Sequence, residues 1–331
     1  PTSVVVIGAS ETPGSVGNTL TKNILNGGFQ GSVYLVNPNH GSIGGYKCFE
    51  SIAALPETPE LGVVATPPDT VPLIIDELGQ KGCRAAVVIT AGLSATLKQA
   101  MLDAARPSCL RIIGPNCLGI SVPGLGLAAN FGLNSPKPGQ LAFLSQSGAL
   151  MTGVLDWAAA RYIGFSSVIS MGDMSDVDVG ELLDFLAADV STSAILLYLE
   201  TIPAARTFMS AARSAARAKP VIVIKSGRHE ESARAATTHT GALAGSAAAV
   251  RAALRRAGPA RAEALEERFT AAETQANFKP VEGNELLIVT NGGGAGVLAV
   301  DDLMRLDGRL APINESLVAM LDEVLPANWS R

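Results

Sequence analysis

Short apolar segments of strand-like composition alternate with helical stretches through the first 120 residues of this chain. Strand-like segments lie at residues 3–7, 33–37, 62–65, 85–90 and 110–113, and helices are predicted at residues 16–25 and 70–81. Strands that alternate with helices form parallel pairs, so this pattern predicts a doubly wound parallel sheet covered by helices on both faces. We expect a ligand at the loops that follow its strands.

A second set of strand-like segments follows a stretch rich in proline and glycine. Residues 122–126 and the prolines at 136 and 138 are typical of a linker between domains. Strand-like segments then recur at residues 140–144, 167–170, 194–199 and 220–225, which predicts a second open parallel sheet. Residues 245–277 are rich in Ala and Arg and are predicted to be helical.

A third strand-like segment, residues 285–290, runs into the glycine-rich residues 291–296 and a predicted helix. The glycines permit close approach to a phosphate, although turn geometry alone also explains them. The predicted domains are residues 1–125, residues 136–280 and residues 281–331, the last being the beginning of a third, truncated α/β domain.

The composition favours a soluble enzyme of the cytoplasm. The 331 residues are 47% hydrophobic and 17% charged, enough to bury two or three cores. No apolar run approaches the roughly 20 residues of a membrane helix. The four cysteines lack C-x-x-C spacing and no secretory leader precedes them, which predicts reduced thiols. The net charge of −5 with scattered basic residues argues against a nucleic-acid partner.

His239 lies in a segment of small and polar residues, Thr237-Thr238-His239-Thr240-Gly241-Ala242-Leu243. A histidine kept for packing is normally flanked by bulky apolar residues at helical or strand spacing. One interpretation is therefore a loop that carries a nucleophilic imidazole, and the other is an exposed loop histidine. The segment alone leaves both open.

The segment Leu144-Ser145-Gln146-Ser147-Gly148-Ala149-Leu150 follows one of the predicted strands and opens a predicted helix. The first N–H groups of a helix lack partners and its dipole is positive there, so a phosphate can bind without a lysine. Serine is also the ordinary helix N-cap, so this segment by itself is weak evidence. Together with a loop histidine it favours a phosphate site.

Five motifs occur in order along the chain. They are Val6-Ile7-Gly8-Ala9-Ser10 with Pro13 and Gly17, Ile113-Gly114-Pro115-Asn116-Cys117-Leu118-Gly119, Ser145-Gln146-Ser147-Gly148, Tyr198-Leu199-Glu200 and His239-Thr240-Gly241-Ala242. In these motifs the whole chain resembles the NDP-forming acyl-CoA synthetases, relatives of the succinyl-CoA synthetase alpha subunit. The resemblance implies an α/β protein with a Rossmann-like CoA-binding domain, a flavodoxin-like ligase domain and the start of a third α/β domain.

The resemblance also implies the catalytic residues. His239 would be phosphorylated during turnover, and the phosphoryl group would be held by Ser145, Gln146, Ser147 and Gly148. Glu200 would accept a hydrogen bond from one ring nitrogen of His239 and leave the other free to attack phosphorus. Without the resemblance, Glu200 could equally be a solvated loop residue.

Coenzyme A would bind the first domain. The resemblance places its phosphates at Gly8, Ser10, Pro13 and Gly17, its nucleotide beside Asn37, Pro38 and His40, the remaining wall at Thr66, Pro67, Thr90, Ala91 and Gly92, and its thiol end at Asn116 and Cys117. For Cys117 itself we expect a buried apolar role rather than a covalent one.

Two other interpretations of the sequence are weaker. A nicotinamide site would need glycine at Ser10 and an acidic residue where Asn37-Pro38-Asn39 stands. A calcium loop at Asp173, Asp176 and Asp178 would need a central glycine and a closing glutamate, so we predict a helix cap there and no metal site.

The implied reaction interconverts acyl-CoA, phosphate and ADP with a carboxylate, CoA and ATP, through an acyl phosphate and a phosphohistidine. ATP or ADP and Mg²⁺ would bind an ATP-grasp domain, fused or on a separate subunit, which these residues lack. We therefore do not expect full turnover from this chain alone. We expect a small carboxylate such as acetate as the substrate and an oligomeric assembly. The alternative is a CoA-sensing regulatory module fused to a protein acetyltransferase.

Overall fold

The computed structural model of this chain describes residues 1–202, 204–225, 283–290 and 293–325, together with positions 256, 258 and 274. The chain divides into two compact units, Pro1–Phe278 and Lys279–Arg331. The predicted helix at 245–277 and the His239 loop lie outside the described residues. Among the described residues, no helix is both long enough and apolar enough to cross a bilayer.

The first sheet has seven strands in the order β3-β4-β2-β1-β5-β6-β7. The strands are β1 (Ser3–Ile7), β2 (Ser32–Val36), β3 (Ser42–Ile43), β4 (Tyr46–Phe49), β5 (Leu61–Val64), β6 (Ala85–Val88) and β7 (Arg111–Ile113), and the helices are α1 (Val16–Asn26), α2 (Val71–Gln80) and α3 (Ala95–Ala105). All pairs are parallel except β3 with β4. Central strands of a parallel sheet are buried on both faces, which explains their apolar sequences. Strand β1 is buried throughout its length.

The second sheet has six strands in the order β13-β12-β10-β11-β8-β9. The strands are β8 (Gly119–Val122), β9 (Leu127–Asn130), β10 (Pro138–Ser145), β11 (Phe165–Ser170), β12 (Ala194–Leu199) and β13 (Val221–Lys225), and the helices are α4 (Gly148–Ala160), α5 (Val179–Ala188) and α6 (Ala205–Ala218). Strands β10 to β13 are parallel, and β12 and β11 flank β10. The predicted α/β class with two successive sheets is confirmed, and the strands predicted for each sheet are parallel.

The segment predicted as a linker, residues 122–126, is the turn of a hairpin. Strands β8 and β9 pair antiparallel with each other, and β8 pairs antiparallel with β11, so both belong to the second sheet. Pro123 begins a short 3-10 helix, and Gly126 follows it at φ +67°, a left-handed conformation that glycine adopts without strain. Proline and glycine therefore form a turn between β8 and β9 here.

The described residues 283–290 and 293–325 form a βαβα unit. It consists of β14 (Glu285–Leu286), α7 (Gly293–Arg305), β15 (Arg309–Leu310) and α8 (Glu315–Val324), and its two strands are parallel. Large apolar side chains remain exposed in this unit, among them Val289 at 87% and Met320 at 66%. Two short strands bury too little apolar surface to be stable alone.

The two sheets meet along a row of backbone hydrogen bonds. The N–H groups of Asp173, Ser175 and Val177 donate to the carbonyl oxygens of Pro115, Gly114 and Ile112, at 2.9, 3.1 and 3.1 Å. Arg111 reinforces the row, because its guanidinium donates to both Asp176 and Glu181, at 2.9–3.3 Å. These hydrogen bonds raise the pKa of Arg111 above its ordinary value. The end of the first sheet is thus tied to the loop that follows β11.

Gly17 allows α1 to approach the loop after β1. A Cβ atom at Gly17 would lie 2.1 Å from the carbonyl oxygen of Gly8, which is backbone and cannot move aside. We expect Gly17→Ala to lower the free energy of unfolding by about 3 kcal/mol, as overpacking does. Gly153→Ala is the control, since its Cβ would meet nothing within 4 Å in α4, and it should raise stability by about 1 kcal/mol. Urea denaturation of both variants checks this, and equal effects would contradict it.

Candidate functional site

The loops after β1, β2, β5, β6 and β7 lie along one edge of the first sheet, here called the first edge. Gly8 begins this edge at φ +91°, and a Cβ atom there would lie 2.4 Å from the carbonyl oxygen of Ala65. The chain then passes Ser10, whose hydroxyl accepts a hydrogen bond from Thr12 N–H at 3.0 Å, and reaches Ser15, the N-cap of α1. This narrow turn leads directly to the positive end of a helix.

Hydrogen bonds join neighbouring loops along the first edge. The side-chain amide of Asn37 donates to Ala9 O at 2.7 Å, and the Thr90 hydroxyl donates to Thr66 O at 2.8 Å. The Asn116 N–H in turn donates to Thr90 O at 2.9 Å. These hydrogen bonds link the loop after β1 to the loop after β2, and the loop after β5 to those after β6 and β7. The predicted CoA contacts at five strand ends therefore lie along one edge of the sheet.

Several residues predicted for CoA contacts lie open on the first edge. The exposed ones are Pro13, Pro38, His40, Pro67, Ala91, Gly92 and Asn116, while Gly8, Ser10, Asn37 and Thr66 are partly buried and Gly17 and Thr90 are buried. The buried members shape the loops, and the exposed ones form a surface that an extended ligand can cover.

Cys117 differs from its neighbour Asn116 because it is buried. Its Sγ lies 3.3 Å from Val88 O, within the core of the first sheet. Burial raises the pKa of the Cys117 thiol to about 12, and the nearby carboxylate of Asp173 adds to the rise. Cys117 is thus a neutral packing residue, in agreement with the apolar role expected for it.

The second predicted site is the turn into α4, residues 145–149, here called the α4 turn. Ser147 is the N-cap, and its hydroxyl accepts a hydrogen bond from Leu150 N–H at 3.3 Å. The N–H groups of Gly148 and Ala149 have no hydrogen-bond partner among the described residues. Ser145 is fully buried, and its hydroxyl donates to Ser147 O at 2.8 Å and accepts from Ser147 N–H. The α4 turn therefore offers free backbone donors, whereas the Ser145 hydroxyl shapes the turn.

Gln146 connects the α4 turn to the loop after β12. Its side-chain oxygen accepts hydrogen bonds from the N–H groups of Glu200 and Thr201, and its side-chain nitrogen donates to Thr201 O at 3.0 Å. The backbone of Glu200 is thus fixed beside the α4 turn, with its side chain half-buried. The predicted partner of Glu200, His239, lies outside the described residues.

The first edge and the α4 turn meet in three loops, residues 114–118, 145–148 and 170–175, here called the junction loops. Leu118 N–H donates to the Ser170 hydroxyl at 2.9 Å, and Met171 N–H donates to Ser145 O at 2.8 Å. A Cβ atom at Gly148 would lie 3.7 Å from Leu118 Cβ. Leu118, two residues after Asn116, therefore lies beside the start of α4.

The three aspartates after β11 have separate partners. Asp178 caps α5 in a capping box with Glu181, which confirms the predicted helix cap. Asp176 binds Arg111, and Asp173 binds Lys98 at 2.6 Å. In the described part of the chain, no group of three or more His, Cys, Asp or Glu residues is arranged to hold a metal ion.

Two family models match this chain. A CoA binding domain matches residues 2–123, and a succinyl-CoA ligase like flavodoxin domain matches residues 138–275. The acetate–CoA ligase (ADP-forming) I of Archaeoglobus fulgidus is 40% identical over 99% of this chain and 48% of its own length. The alpha subunit of acetate–CoA ligase (ADP-forming) II from Pyrococcus furiosus is 36% identical over 98% of this chain and 72% of its own length.

A solved structure shows the same fold. The acetyl-coenzyme A synthetase 1 of Candidatus Korarchaeum cryptofilum, in complex with phosphate and ADP, matches with a TM-score of 0.88 and 36% identity, over 100% of this chain and 72% of that one. This chain belongs to the ADP-forming acyl-CoA synthetase family. The resemblance drawn from the five motifs is confirmed, and the chain spans about half the length of the Archaeoglobus synthetase.

The structure adds residues that the family motifs do not contain. Lys98, Arg111 and Asp176 tie the first and second sheets together around the junction loops. Their ion pairs were missed because each partner lies more than 60 residues away in sequence, as 176 does from 111, and charged side chains usually face solvent. Gln146 was predicted to bind phosphate, yet its side-chain amide holds the Glu200 loop.

The high pKa of Cys117 predicts that this thiol does not react. A thiolate attacks alkylating reagents, and at pH 8 a thiol with a pKa of about 12 is almost entirely protonated. Iodoacetamide should therefore label the exposed Cys109 of the native chain and leave Cys117 intact until denaturant is added. Peptide mass spectrometry measures both, and Cys109→Ser is the control that removes fast labelling. Labelling of native Cys117 at the rate of Cys109 would contradict its burial.

Proposed function

We propose that this chain is the CoA-binding and acyl-transferring part of an ADP-forming carboxylate–CoA ligase. One observation carries the proposal: the junction loops connect the end of the first edge, which carries Asn116, to the α4 turn, where the N–H groups of Gly148 and Ala149 have no partner among the described residues. A site for an acyl thioester thereby adjoins a site for a phosphoryl group. The relatives named above are acetate–CoA ligases, so acetate or another small carboxylate is the proposed substrate.

Coenzyme A lies along the first edge in this proposal. The close contacts of Gly8 and Gly17 let the backbone approach a diphosphate, and the N-terminus of α1 favours its negative charge. A chain with a net charge of −5 can bind an anionic cofactor in this way, because backbone dipoles rather than clustered lysines attract it. The pantetheine arm then runs past Thr66 and Thr90 to Asn116.

The α4 turn holds the phosphoryl group. The N–H groups of Gly148 and Ala149 and the Ser147 hydroxyl are donors suited to phosphate oxygens at a positive helix end. Ser145 and Gln146 support the site through the turn and through the Glu200 loop. In this proposal Glu200 orients His239, whose second ring nitrogen attacks phosphorus.

The reaction follows in three reversible steps. Phosphate attacks the thioester carbonyl of acyl-CoA, the C–S bond breaks, and acyl phosphate and free CoA form. His239 then attacks phosphorus, the bond to the carboxylate oxygen breaks, and the carboxylate leaves. Finally the phosphoryl group passes from nitrogen to ADP, which yields ATP and neutral His239.

The nucleotide step needs a further part of the protein. The relatives of this chain are longer, and one is an alpha subunit by name, so we propose an ATP-grasp domain or subunit that binds ATP or ADP with Mg²⁺. The exposed apolar side chains of residues 286–289 and 297–325 fit the proposed third α/β domain, because such surfaces are usually covered by other parts of a protein. We retain the domain bounds 1–125, 136–280 and 281–331, an oligomeric assembly and a cytoplasmic location as proposals.

The phosphohistidine step gives a direct test. We expect the full-length enzyme, incubated with γ-labelled ATP and Mg²⁺, to take up phosphate that is labile to acid and stable to base. His239→Ala should abolish the label, because no other imidazole replaces the nucleophile. Glu200→Gln should slow labelling about 100-fold, as expected for loss of an orienting partner. Gel autoradiography after acid and base treatment measures each.

The matched control is His40→Ala, which removes a histidine from the first edge and leaves the α4 turn unchanged. It should keep full labelling. If the wild type takes up no such phosphate while CoA still binds, the regulatory alternative replaces the enzyme.

Calorimetry of this chain tests its CoA site separately. We expect CoA to bind and NAD to bind at least about 100-fold more weakly, because no acidic side chain follows β2 to accept the ribose hydroxyls. Gly8→Ala should abolish CoA binding, while Gly41→Ala, whose Cβ would meet nothing within 4 Å, should preserve it. Tighter binding of NAD than of CoA would restore the oxidoreductase interpretation.

A further inference from the structure

An ion pair joins the two sheets beside the junction loops. Lys98, in the first half of α3, extends to Asp173 in the loop after β11, with 2.6 Å between Nζ and Oδ2. The side chains of Lys98 and Asp173 are 34% and 28% exposed, so both charges are partly open to solvent. Arg111 serves the packing of the sheets with Asp176 and Glu181, whereas the Lys98 pair lies at the junction itself.

Asp173 is held on three sides. Its second carboxylate oxygen accepts a hydrogen bond from the Asn116 side-chain nitrogen at 3.1 Å, and its own N–H donates to Pro115 O at 2.9 Å. A carboxylate only accepts hydrogen bonds, so the Asn116 amide must present its nitrogen to Asp173 and its oxygen elsewhere. Asp173 therefore fixes the side chain that lies where the CoA thiol is proposed to arrive.

Asp173 also brings the one carboxylate charge to the junction loops. The sequences of these loops, Gly114-Pro115-Asn116-Cys117-Leu118, Ser145-Gln146-Ser147-Gly148 and Ser170-Met171-Gly172-Asp173-Met174-Ser175, contain no other carboxyl side chain and no basic one. The charge acts at Cys117, whose pKa it helps to raise. Without Lys98, this charge would face the anionic substrates of the reaction.

We propose that the Lys98–Asp173 pair sets the charge that a carboxylate substrate meets at the junction loops, and that it is a specificity-determining pair of the ligase reaction. The proposal rests on the proposed function. Lys98 cancels the repulsion between Asp173 and the substrate carboxylate. Because Lys98 is engaged by Asp173, it offers little attraction to a second carboxylate group, so the pair favours monocarboxylates over dicarboxylates.

Removing the positive charge of Lys98 and removing the negative charge of Asp173 should change KM for acetate in opposite directions. In the full-length enzyme, Lys98→Met leaves Asp173 uncompensated, and we expect KM for acetate to rise about threefold. Asp173→Asn keeps an oxygen that accepts from Asn116 but leaves Lys98 uncompensated, so KM for acetate should fall by a similar factor. The double variant Lys98→Met/Asp173→Asn should return close to the wild-type value.

Succinate, as a dianion, makes the test sharper. Coulomb energy is proportional to charge, so we expect the change in KM for succinate to be roughly the square of that for acetate, about ninefold, with salt reducing both. Lys98→Gln, at a position one-third exposed, is a second variant that should fold, and its succinate-to-acetate ratio decides the proposal if Asp173→Asn does not fold.

The matched controls are Arg106→Met and Asp103→Asn, which break an exposed ion pair at the other end of α3, about 8–12 Å further along the helix. They make the same charge changes and should leave both KM values unchanged. Two single variants that both raise KM for acetate, or a double variant as impaired as either, would overturn the proposal. A wild-type enzyme without ligase activity would instead overturn the proposed function.

Discussion

The row of backbone hydrogen bonds between residues 112–115 and residues 173–177 is the constraint on which the site depends. A parallel sheet places its ligand at the carboxyl ends of its strands, and this chain has two such sheets. Two independent sheets could point these ends in any direction. Because the end of β7 pairs with the loop after β11, the first edge and the α4 turn face a common space.

The position of β10 in the second sheet explains why the α4 turn and Glu200 belong to one site. Strands β11 and β12 flank β10 on opposite sides. The turn from β10 into α4 therefore lies between the loop that follows β11 and the loop that follows β12. Such a switch point opens a crevice above the central strand. Gln146 closes one side of it by binding the backbone of residues 200 and 201. Its amide positions this loop, and in the proposed function the N–H groups of Gly148 and Ala149 bind the phosphoryl group.

The sequence predicted the parts of this fold that rest on local patterns. Apolar runs bounded by Gly and Pro located the central strands, and Ser15, Ser147 and Asp178 begin helices, as their residue types predict. It did not predict the hairpin of β8 and β9, because Pro123 and Gly126 fit a linker and a turn equally well. Nor did it predict the pairing of Lys98 with Asp173 or of Arg111 with Asp176, since nothing local relates residues 65 to 75 positions apart.

The burial of Cys117 follows from the same arrangement and bears on the chemistry. In the proposed reaction an activated acyl group forms beside Asn116, and any thiolate in reach would compete with CoA for it. Cys117 is the next residue, but the left-handed backbone of Asn116, at φ +58°, sends the two side chains to different environments. Asn116 faces the open edge, whereas Cys117 packs against Val88 with its pKa at about 12. A small apolar side chain fills the core there, and its neutral thiol leaves the acyl group to the cofactor.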